Sequence, residues 1–261
     1  MTLFIRNRSG EVVAELIPNF ATEVLGFDPR TLIGELNDGY PVREDGDAIV
    51  PGEPQWVHGS HPNLNYRGNQ LRRTKMWFQT GSTKKRVRVY SYTGFQYGVL
   101  AAQFDVQKVP ILEEITTRYN EWISSSSRNI PLANHGIVTR YEDGNDNIGM
   151  HFDKAASMDA NSVICVVKLG PGSRRFRIED LEGTVLFDRV VRAGTAIVMS
   201  VEQNLKTRHG VPVCENCREE SGSLVFRTIV REDSVAEASK RAAKTELARE
   251  ERKRARLVDG K

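Results

Sequence analysis

Eight short runs of strand-forming residues constrain the fold of this chain more than any other feature of the sequence. They lie within about residues 136–232, and turns rich in glycine, asparagine or aspartate separate them. The runs read HGIVTRY, IGMHFD, SVICVVKLG, RRFRIED, TVLFDRVV, TAIVMSV, RHGVPV and SLVFRTIVR. Strands this short and this numerous predict a mainly β fold, a double-sheet barrel of the jelly-roll type.

The segment before the barrel contains a helical pattern and two further β-rich pieces. The helical pattern, VPILEEITTRYNEWISSSS, has apolar residues at helical spacing and Pro110 in its first turn, so it predicts a helix that buttresses the barrel. The β-rich pieces, TKMWFQTG and RVRVYSYTG, lie within about residues 72–104, and each ends in a glycine turn. These pieces and the barrel form one predicted domain, residues 56–232.

The two ends of the chain differ from this domain. Residues 1–55 are rich in turn formers and predict an extension with a short helix near Thr22–Gly26, not an independent domain. Residues 233–261 are alanine-rich and charged, with almost no apolar stripe, which predicts a solvated helical tail. Its basic runs, KRAAK and RKRAR, leave two functions open, which are binding to nucleic acid and nuclear localisation.

The bulk composition excludes a membrane-spanning protein and permits a nucleic-acid partner. The chain has 261 residues, of which 39% are hydrophobic and 27% charged, as in ordinary globular proteins. It has no apolar run of about 18 residues, the length that a membrane helix needs, and we see no secretory signal at its start. A net charge of +3 is compatible with nucleic-acid binding without requiring it.

The three cysteines indicate a reducing compartment. An odd, low number of cysteines argues against a disulfide framework, so we expect an intracellular protein, cytoplasmic or nuclear. Cys214 and Cys217 form a CENC motif, which we interpret as two loop cysteines. A zinc half-site is the alternative, although a single CxxC lacks the second pair that zinc sites usually have.

His151 and Asp153 form a candidate metal-binding pair at the end of the loop YEDGNDNIGMHFD. Residues two apart on a strand point to the same face, so an imidazole and a carboxylate project together. A third ligand from another strand completes a facial triad with open positions for oxygen and a chelating co-substrate. His209, just after the apolar strand TAIVMSV, is the candidate for that ligand.

Arg227 is a second unusual residue, because it lies in the apolar strand SLVFRTIVR. An arginine in such a strand must either extend to solvent or meet an anion. A dicarboxylate co-substrate can supply that anion and accept two hydrogen bonds from the guanidinium.

The order and spacing of these motifs resemble the AlkB family of ferrous iron- and 2-oxoglutarate-dependent dioxygenases, which fold as a double-stranded β-helix. The resemblance covers about residues 72–231. The matching features are Arg140-Tyr141, the following DG turn, Ile148-Gly149, His151-x-Asp153, the LG turn before RRFRI, GTAIVM, His209 followed by VPV, and LVFRTI.

The resemblance implies a set of site residues and a reaction. His151, Asp153 and His209 would bind Fe(II), Tyr141 would hydrogen bond to 2-oxoglutarate, and Arg227 would bind one of its carboxylates. Oxygen and 2-oxoglutarate would be converted to succinate and carbon dioxide, with hydroxylation of a substrate alkyl group. On an N-methylated base, the hydroxymethyl product would break down to formaldehyde and the repaired base.

The sequence departs from the family pattern around the co-substrate. Thr139 stands where the family has asparagine, and Ser221 and Ser223 stand where its C-terminal signature has arginine and asparagine. Losing one charge-assisted contact costs about 1.5–3 kcal/mol of co-substrate binding. Arg218 is a candidate to reach in and compensate, which makes Thr139 and Arg218 further candidate co-substrate residues.

In the resembled family a β-hairpin ahead of the barrel forms the nucleotide-recognition lid, and the resemblance places this hairpin at about residues 72–104. Its basic residues alternate with aromatic ones, a composition suited to phosphate and base contacts, although an ordinary half-exposed strand also alternates in this way. We expect Tyr92 to hold the base against His151. The other candidate substrate contacts are Tyr90, Trp77, Lys84, Lys85 and Arg86. The family often has an acidic residue where Ala155 stands, so the preferred base can differ.

Three functions remain open at the level of the sequence. The first is oxidative demethylation of a nucleic-acid base, in DNA or RNA, by a protein expected to be monomeric. The second is the same chemistry on a C-methylated base, such as thymine or 5-methylcytosine, or on a free nucleotide. The third is a non-catalytic nucleic-acid-binding module, which Ser221 and Ser223 favour and the joint presence of the five matching site residues opposes.

Overall fold

The barrel consists of a large sheet and a small sheet that face each other. The computed structural model describes residues 1–61, 71–81, 86–88, 102–126 and 129–234. Each of the eight predicted runs contains one strand, and successive strands are distributed between the two sheets. The predicted mainly β jelly roll, a double-stranded β-helix, is confirmed.

The large sheet forms one wall of the barrel and continues beyond it on both sides. In spatial order its strands are β1, β2, β13, β10, β15, β8, β5, β4 and β3, and β7 pairs with β5. Their bounds are β1 Leu3–Arg6, β2 Val12–Ile17, β3 Val42–Arg43, β4 Trp56–Val57, β5 Thr74–Gln79, β7 Gln103–Asp105, β8 His135–Tyr141, β10 Val163–Leu169, β13 Ala196–Ser200 and β15 Ser221–Arg227.

The small sheet forms the opposite wall. Its strands follow the order β12, β11, β14 and β9, and all neighbours are antiparallel. Their bounds are β9 Ile148–His151, β11 Arg174–Asp180, β12 Val185–Val191 and β14 Thr207–Val211. A separate pair joins β6 (Arg86–Arg88) to β16 (Glu232–Ser234).

Both faces of the large sheet are buried. One face packs on the small sheet, where Ile137 and Val225 share a core with Phe176. The other face packs on the helices, and the ring of Tyr119 stacks on Phe226 at 4.3 Å between ring centroids. Burial on both faces explains why the central strands read as nearly continuous apolar runs.

Four α-helices lie among the described residues. They are α1 Phe20–Glu23, α2 Leu32–Gly39, α3 Pro110–Ser125 and α4 Val201–Lys206. The predicted buttressing helix is confirmed as α3, with Pro110 at its first turn. None of the helices in the described ranges is long and apolar enough to cross a membrane.

The first 55 residues are more structured than the sequence indicates. They contribute β1 and β2, which extend the large sheet next to β13, and Leu32, Ile33 and Leu36 of α2 lie in the core beside the barrel. The expected helix near Thr22–Gly26 begins and ends earlier, as α1, and α2 was not predicted. Glycine and aspartate in α2 weaken its helical signal, and tertiary packing overrides that preference. The predicted tail lies outside the described residues from position 235 onward.

Candidate metal centre and co-substrate cavity

Two neighbouring strands of the small sheet bring the three candidate metal ligands together. β9 and β14 pair so that His151 lies directly opposite His209, and Asp153 follows His151 by two residues. One ligand atom of each residue lies within 4.8 Å of the others. The two imidazole centroids are 4.6 Å apart, and Nε2 of His151 lies 3.7 Å from Oδ1 of Asp153.

The backbone fixes the orientation of His151. Its Nδ1 lies 2.8 Å from the carbonyl oxygen of Gly149, and a carbonyl only accepts hydrogen bonds, so Nδ1 carries the proton. Nε2, the atom that faces Asp153, is therefore the ring nitrogen that can offer a lone pair to a metal. In metal-binding histidines, the ring nitrogen that does not bind the metal usually donates a hydrogen bond, often to a backbone carbonyl, and this bond orients the ring.

His209 is neutral at physiological pH. Burial, and next the neighbouring His151, lowers its pKa from 6.5 to about 3. Its ring stacks on Phe176, and its Nδ1 is buried with no hydrogen-bond partner among the described residues. A neutral imidazole is the form that binds a metal ion.

Asp153 is held ionised and in place by residues from outside the small sheet. Burial by itself would raise its pKa, but Arg227, with smaller contributions from His151 and His209, holds the pKa well below 3.8. Arg227 donates to Oδ2 from Nε at 3.0 Å and from Nη2 at 2.6 Å. Oδ1 remains on the side of His151, so the carboxylate is both paired and oriented toward the other two ligands.

Asn204 of α4 adds a second support to Asp153. The side-chain oxygen of Asn204 accepts from the backbone N–H of Asp153 at 2.8 Å, and its Nδ2 donates to the backbone carbonyl of Asp153 at 2.9 Å. Asn204 is fully buried. This reciprocal pair fixes the chain where the small sheet ends.

The donor set fits ferrous iron. Two neutral imidazoles and one carboxylate form the facial triad of non-haem iron oxygenases, which leaves coordination positions open for a chelating co-substrate and oxygen. These three side chains could hold Fe(II).

A cavity of about 470 Å³ extends from the triad between the two sheets. This volume is in the range of small-molecule sites. The triad lies on the small-sheet side, and the large sheet supplies the opposite wall with residues of β5, β8, β10 and β15.

On the large-sheet wall of the cavity, side chains of neighbouring strands form rows that run across the sheet. Strand register places Thr139 opposite Lys75 and Ser223, and Ser223 opposite Lys168, so these four side chains form a polar row across the sheet. The next row toward the triad is apolar and contains Ile137, Val225 and Val166. Arg227 lies one row further, against Asp153.

Tyr141 closes the polar end of the cavity. Burial raises the pKa of its hydroxyl, although Arg73 and Arg174 oppose that shift and Ser223 hydrogen bonds to it. Arg174 and Lys168 approach its ring at 5.4 Å and 5.8 Å. The hydroxyl therefore stays protonated and can donate a hydrogen bond to a ligand.

Several predicted site residues are not part of this arrangement. Arg218 is exposed on the loop after β14 and does not line the cavity, so it does not reach in as expected. Trp77 is buried in the core, which removes it from contact with a large substrate. The backbone of Arg86 lies in β6. The predicted contacts Lys84, Lys85, Tyr90 and Tyr92 lie outside the described residues.

The CENC motif forms neither a zinc half-site nor two free loop cysteines. Cys214 and Cys217 are joined by a disulfide, contrary to the expectation of reduced cysteines. Gly144 exchanges backbone hydrogen bonds with both, donating to Cys217 and accepting from Cys214 at 2.8 Å. The buried Arg174 donates to carbonyls of the same two loops, including those of Gly144 and Pro212. The motif therefore ties the loop after β8 to the loop after β14.

Lys168 and Asn204 were not predicted from the sequence. Lys168 stands in the apolar run SVICVVKLG, and the reasoning applied to Arg227 would have identified it there. Asn204 carries no such signal, because its partner is a backbone segment about 50 positions away that only the fold brings close.

The solved structures similar to this chain include OsALKBH1 and a bacterial oxidoreductase. The structure of OsALKBH1 has 14% sequence identity and a TM-score of 0.46, and the match covers 83% of this chain and 98% of that chain. An oxidoreductase of the 2OG-Fe(II) oxygenase family from Burkholderia pseudomallei has 18% identity and a TM-score of 0.45, covering 85% and 90%. No protein-family model and no curated protein matches the sequence.

Proposed function

We propose that the protein is an Fe(II)- and 2-oxoglutarate-dependent dioxygenase that hydroxylates an alkyl group on a nucleic-acid base. The observation that carries this proposal is the convergence of His151, Asp153 and His209, with ligand atoms within 4.8 Å, on a cavity that also has cationic side chains. Bound iron would supply the oxidising chemistry, in which oxygen and 2-oxoglutarate yield succinate, carbon dioxide and a hydroxylated substrate.

The residues around the triad suit this chemistry. Arg227 and Asn204 hold Asp153 in one orientation, so the three ligands are preorganised before the metal arrives. The apolar row beyond Arg227 keeps water away from the middle of the cavity. Tyr141 and Ser223 offer hydroxyl groups at its far end.

An aromatic ring and a cation at the mouth of the cavity are suited to a flat, anionic substrate. Phe152, between the two ligands of the HFD stretch, is 37% exposed and lines the cavity, and Lys154 lies over its ring at 5.0 Å. An exposed aromatic ring beside a cation suits stacking on a base with a nearby phosphate. Demethylation as the outcome, like the expected monomeric state and cytoplasmic or nuclear location, remains a prediction.

The first test is binding of iron and co-substrate without oxygen. Purified protein mixed anaerobically with Fe(II) and 2-oxoglutarate should develop the weak visible charge-transfer band of the chelate. His151→Ala should abolish the band, and His58→Ala, which changes a histidine outside the cavity, should leave it intact. Absence of the band in the native protein at saturating 2-oxoglutarate would contradict the proposal.

The second test identifies the substrate class. Single-stranded oligonucleotides with N-methylated bases should release formaldehyde in the presence of iron, 2-oxoglutarate and oxygen, because an N-hydroxymethyl group breaks down. A C-methylated base would instead give a stable hydroxymethyl product. If oligonucleotides bind but neither the chelate band nor a product forms, the protein is a non-catalytic binding module, the alternative that Ser221 and Ser223 favour.

A further inference from the structure

Lys168 is a buried cation on the wall of the cavity. Its side chain is 1% exposed in β10, and its Nζ has no hydrogen-bond partner among the described residues. The ring of Tyr141 is 5.8 Å from Nζ, and the nearby Arg174 carries the same charge as Lys168. A buried ammonium group is costly unless an anion pairs with it, so this position is suited to an anionic ligand.

The position of Lys168 along the sheet defines which anion it can meet. Lys168 lies opposite Ser223, and Ser223 is four residues from Arg227 on β15, about 13 Å along the strand. The apolar row of Ile137, Val166 and Val225 lies between these two polar ends. A ligand that chelates the metal at one end, with a short hydrocarbon middle and an anionic far end, matches this order.

The other cations near the large-sheet wall are placed differently. Arg73, just before β5, lines the cavity and donates from Nη1 to the backbone carbonyl of Asn147 at 2.8 Å. Arg227 donates two hydrogen bonds to Asp153 and so belongs to the metal end. Lys75 lies at the opposite end of the polar row, on β5, two strands away from Ser223. Lys168 is the direct neighbour of Ser223, which hydrogen bonds to Tyr141.

We propose that Lys168 binds the far carboxylate of 2-oxoglutarate, with the hydroxyl groups of Tyr141 and Ser223 completing the site. This inference rests on the proposed function. The cation for that carboxylate comes from β10, while position 221 on β15, an arginine in the resembled family, is a buried serine here. The departures at Ser221 and Ser223 therefore do not remove the co-substrate site, because its charge is supplied from the neighbouring strand.

The test compares two 2-oxo acids in two proteins. 2-Oxopentanoate has the chain length of 2-oxoglutarate but a methyl group in place of the far carboxylate, so it can chelate iron without meeting Lys168. Each acid is titrated anaerobically into the Fe(II) protein, and the charge-transfer band gives its affinity. The native protein should prefer 2-oxoglutarate about 10- to 100-fold, the range of one charge-assisted contact. Lys168→Met should lose most of that preference.

Three further variants control the experiment. Lys168→Arg keeps the positive charge and should retain part of the preference. Lys108→Met changes an exposed lysine that pairs with Glu53 and should retain all of it. Lys75→Met tests the other lysine of the polar row. Circular dichroism and thermal unfolding check that each variant folds.

The outcomes separate the two proposals. A band in the native protein with an unchanged preference in Lys168→Met, or loss of the preference only in Lys75→Met, overturns the role of Lys168 and leaves the oxygenase intact. No band with either acid in the native protein overturns both. Loss of the preference in Lys168→Met, with a normal band for 2-oxopentanoate, establishes the site.

Discussion

At the scale of single residues, the candidate site depends on buried charged side chains. Some pair with each other, and others would pair with a bound ligand. The carboxylate of Asp153 and the guanidinium of Arg227 are each about 5% exposed and hold each other in place. Such a pair contributes little net stability compared with apolar residues, but removal of one member leaves the other buried and uncompensated. Its function here is to keep Asp153 ionised and aimed at the other two ligands.

Arg227→Met should therefore destabilise the metal-free protein strongly. We expect a loss of about 3–5 kcal/mol in the free energy of unfolding, the range found when one partner of a buried ion pair is removed. Urea unfolding in the presence of a chelator measures it. Arg175→Met, which breaks an exposed pair with Asp188, should cost about 0–1 kcal/mol. Equal effects of the two substitutions would show that the buried pair has no special role.

Lys168 should make the stability of the metal-free protein depend on pH. Burial, with Arg174 next, lowers its pKa from 10.5 to about 7. Between these values the unfolded chain binds more protons than the native protein, so the free energy of unfolding should rise with pH across that window. Below pH 7 both states are protonated and the full cost of the buried charge remains.

Comparison with Lys168→Met isolates this contribution. The variant should be more stable than the native protein at pH 6, and the difference should shrink as the pH rises toward 10.5. Urea unfolding at several pH values measures the two curves. Parallel curves across that range would contradict the assignment of the slope to Lys168.

At the scale of elements, the loops after β8 and β14 frame the polar end of the cavity and are joined at Gly144. A Cβ added to Gly144 would lie 1.7 Å from the carbonyl oxygen of Cys214. The two backbones can approach this closely only because residue 144 has no side chain. Arg174 then satisfies the carbonyl groups that the close approach leaves in the interior.

Gly144→Ala should separate these loops. We expect a destabilisation of about 1–3 kcal/mol, as for other overpacked positions, measured by thermal or urea unfolding. Gly34→Ala is the matched control, because Gly34 lies exposed in α2 with nothing within 4 Å of an added Cβ. There the same change should stabilise the protein by about 0.5–1 kcal/mol, since alanine is the better helix former. A neutral Gly144→Ala would contradict the close packing.

At the scale of the whole molecule, the barrel could be predicted from the sequence but its surroundings could not. Apolar runs bounded by turns located the eight core strands. The His151-x-Asp153 spacing, together with the family resemblance, indicated three residues whose ligand atoms lie within 4.8 Å of one another in the structure. β2 escaped prediction because its burial depends on pairing with β13, about 180 positions further along the chain, and β1 joins the sheet by pairing with β2. Lys168 lay within a predicted strand, yet its place beside Ser223 depends on register, which the sequence of one strand does not define.

The division of the site between two sheets has a consequence for the size of the ligand. The triad belongs to the small sheet and Lys168 to the large one, so a bound 2-oxo acid would bridge the gap between two packed layers. The thickness of that gap is fixed by core side chains such as Phe176 and Val166, which touch neither end of the bridge. The chain length of the proposed co-substrate would therefore be limited by how closely the two layers pack.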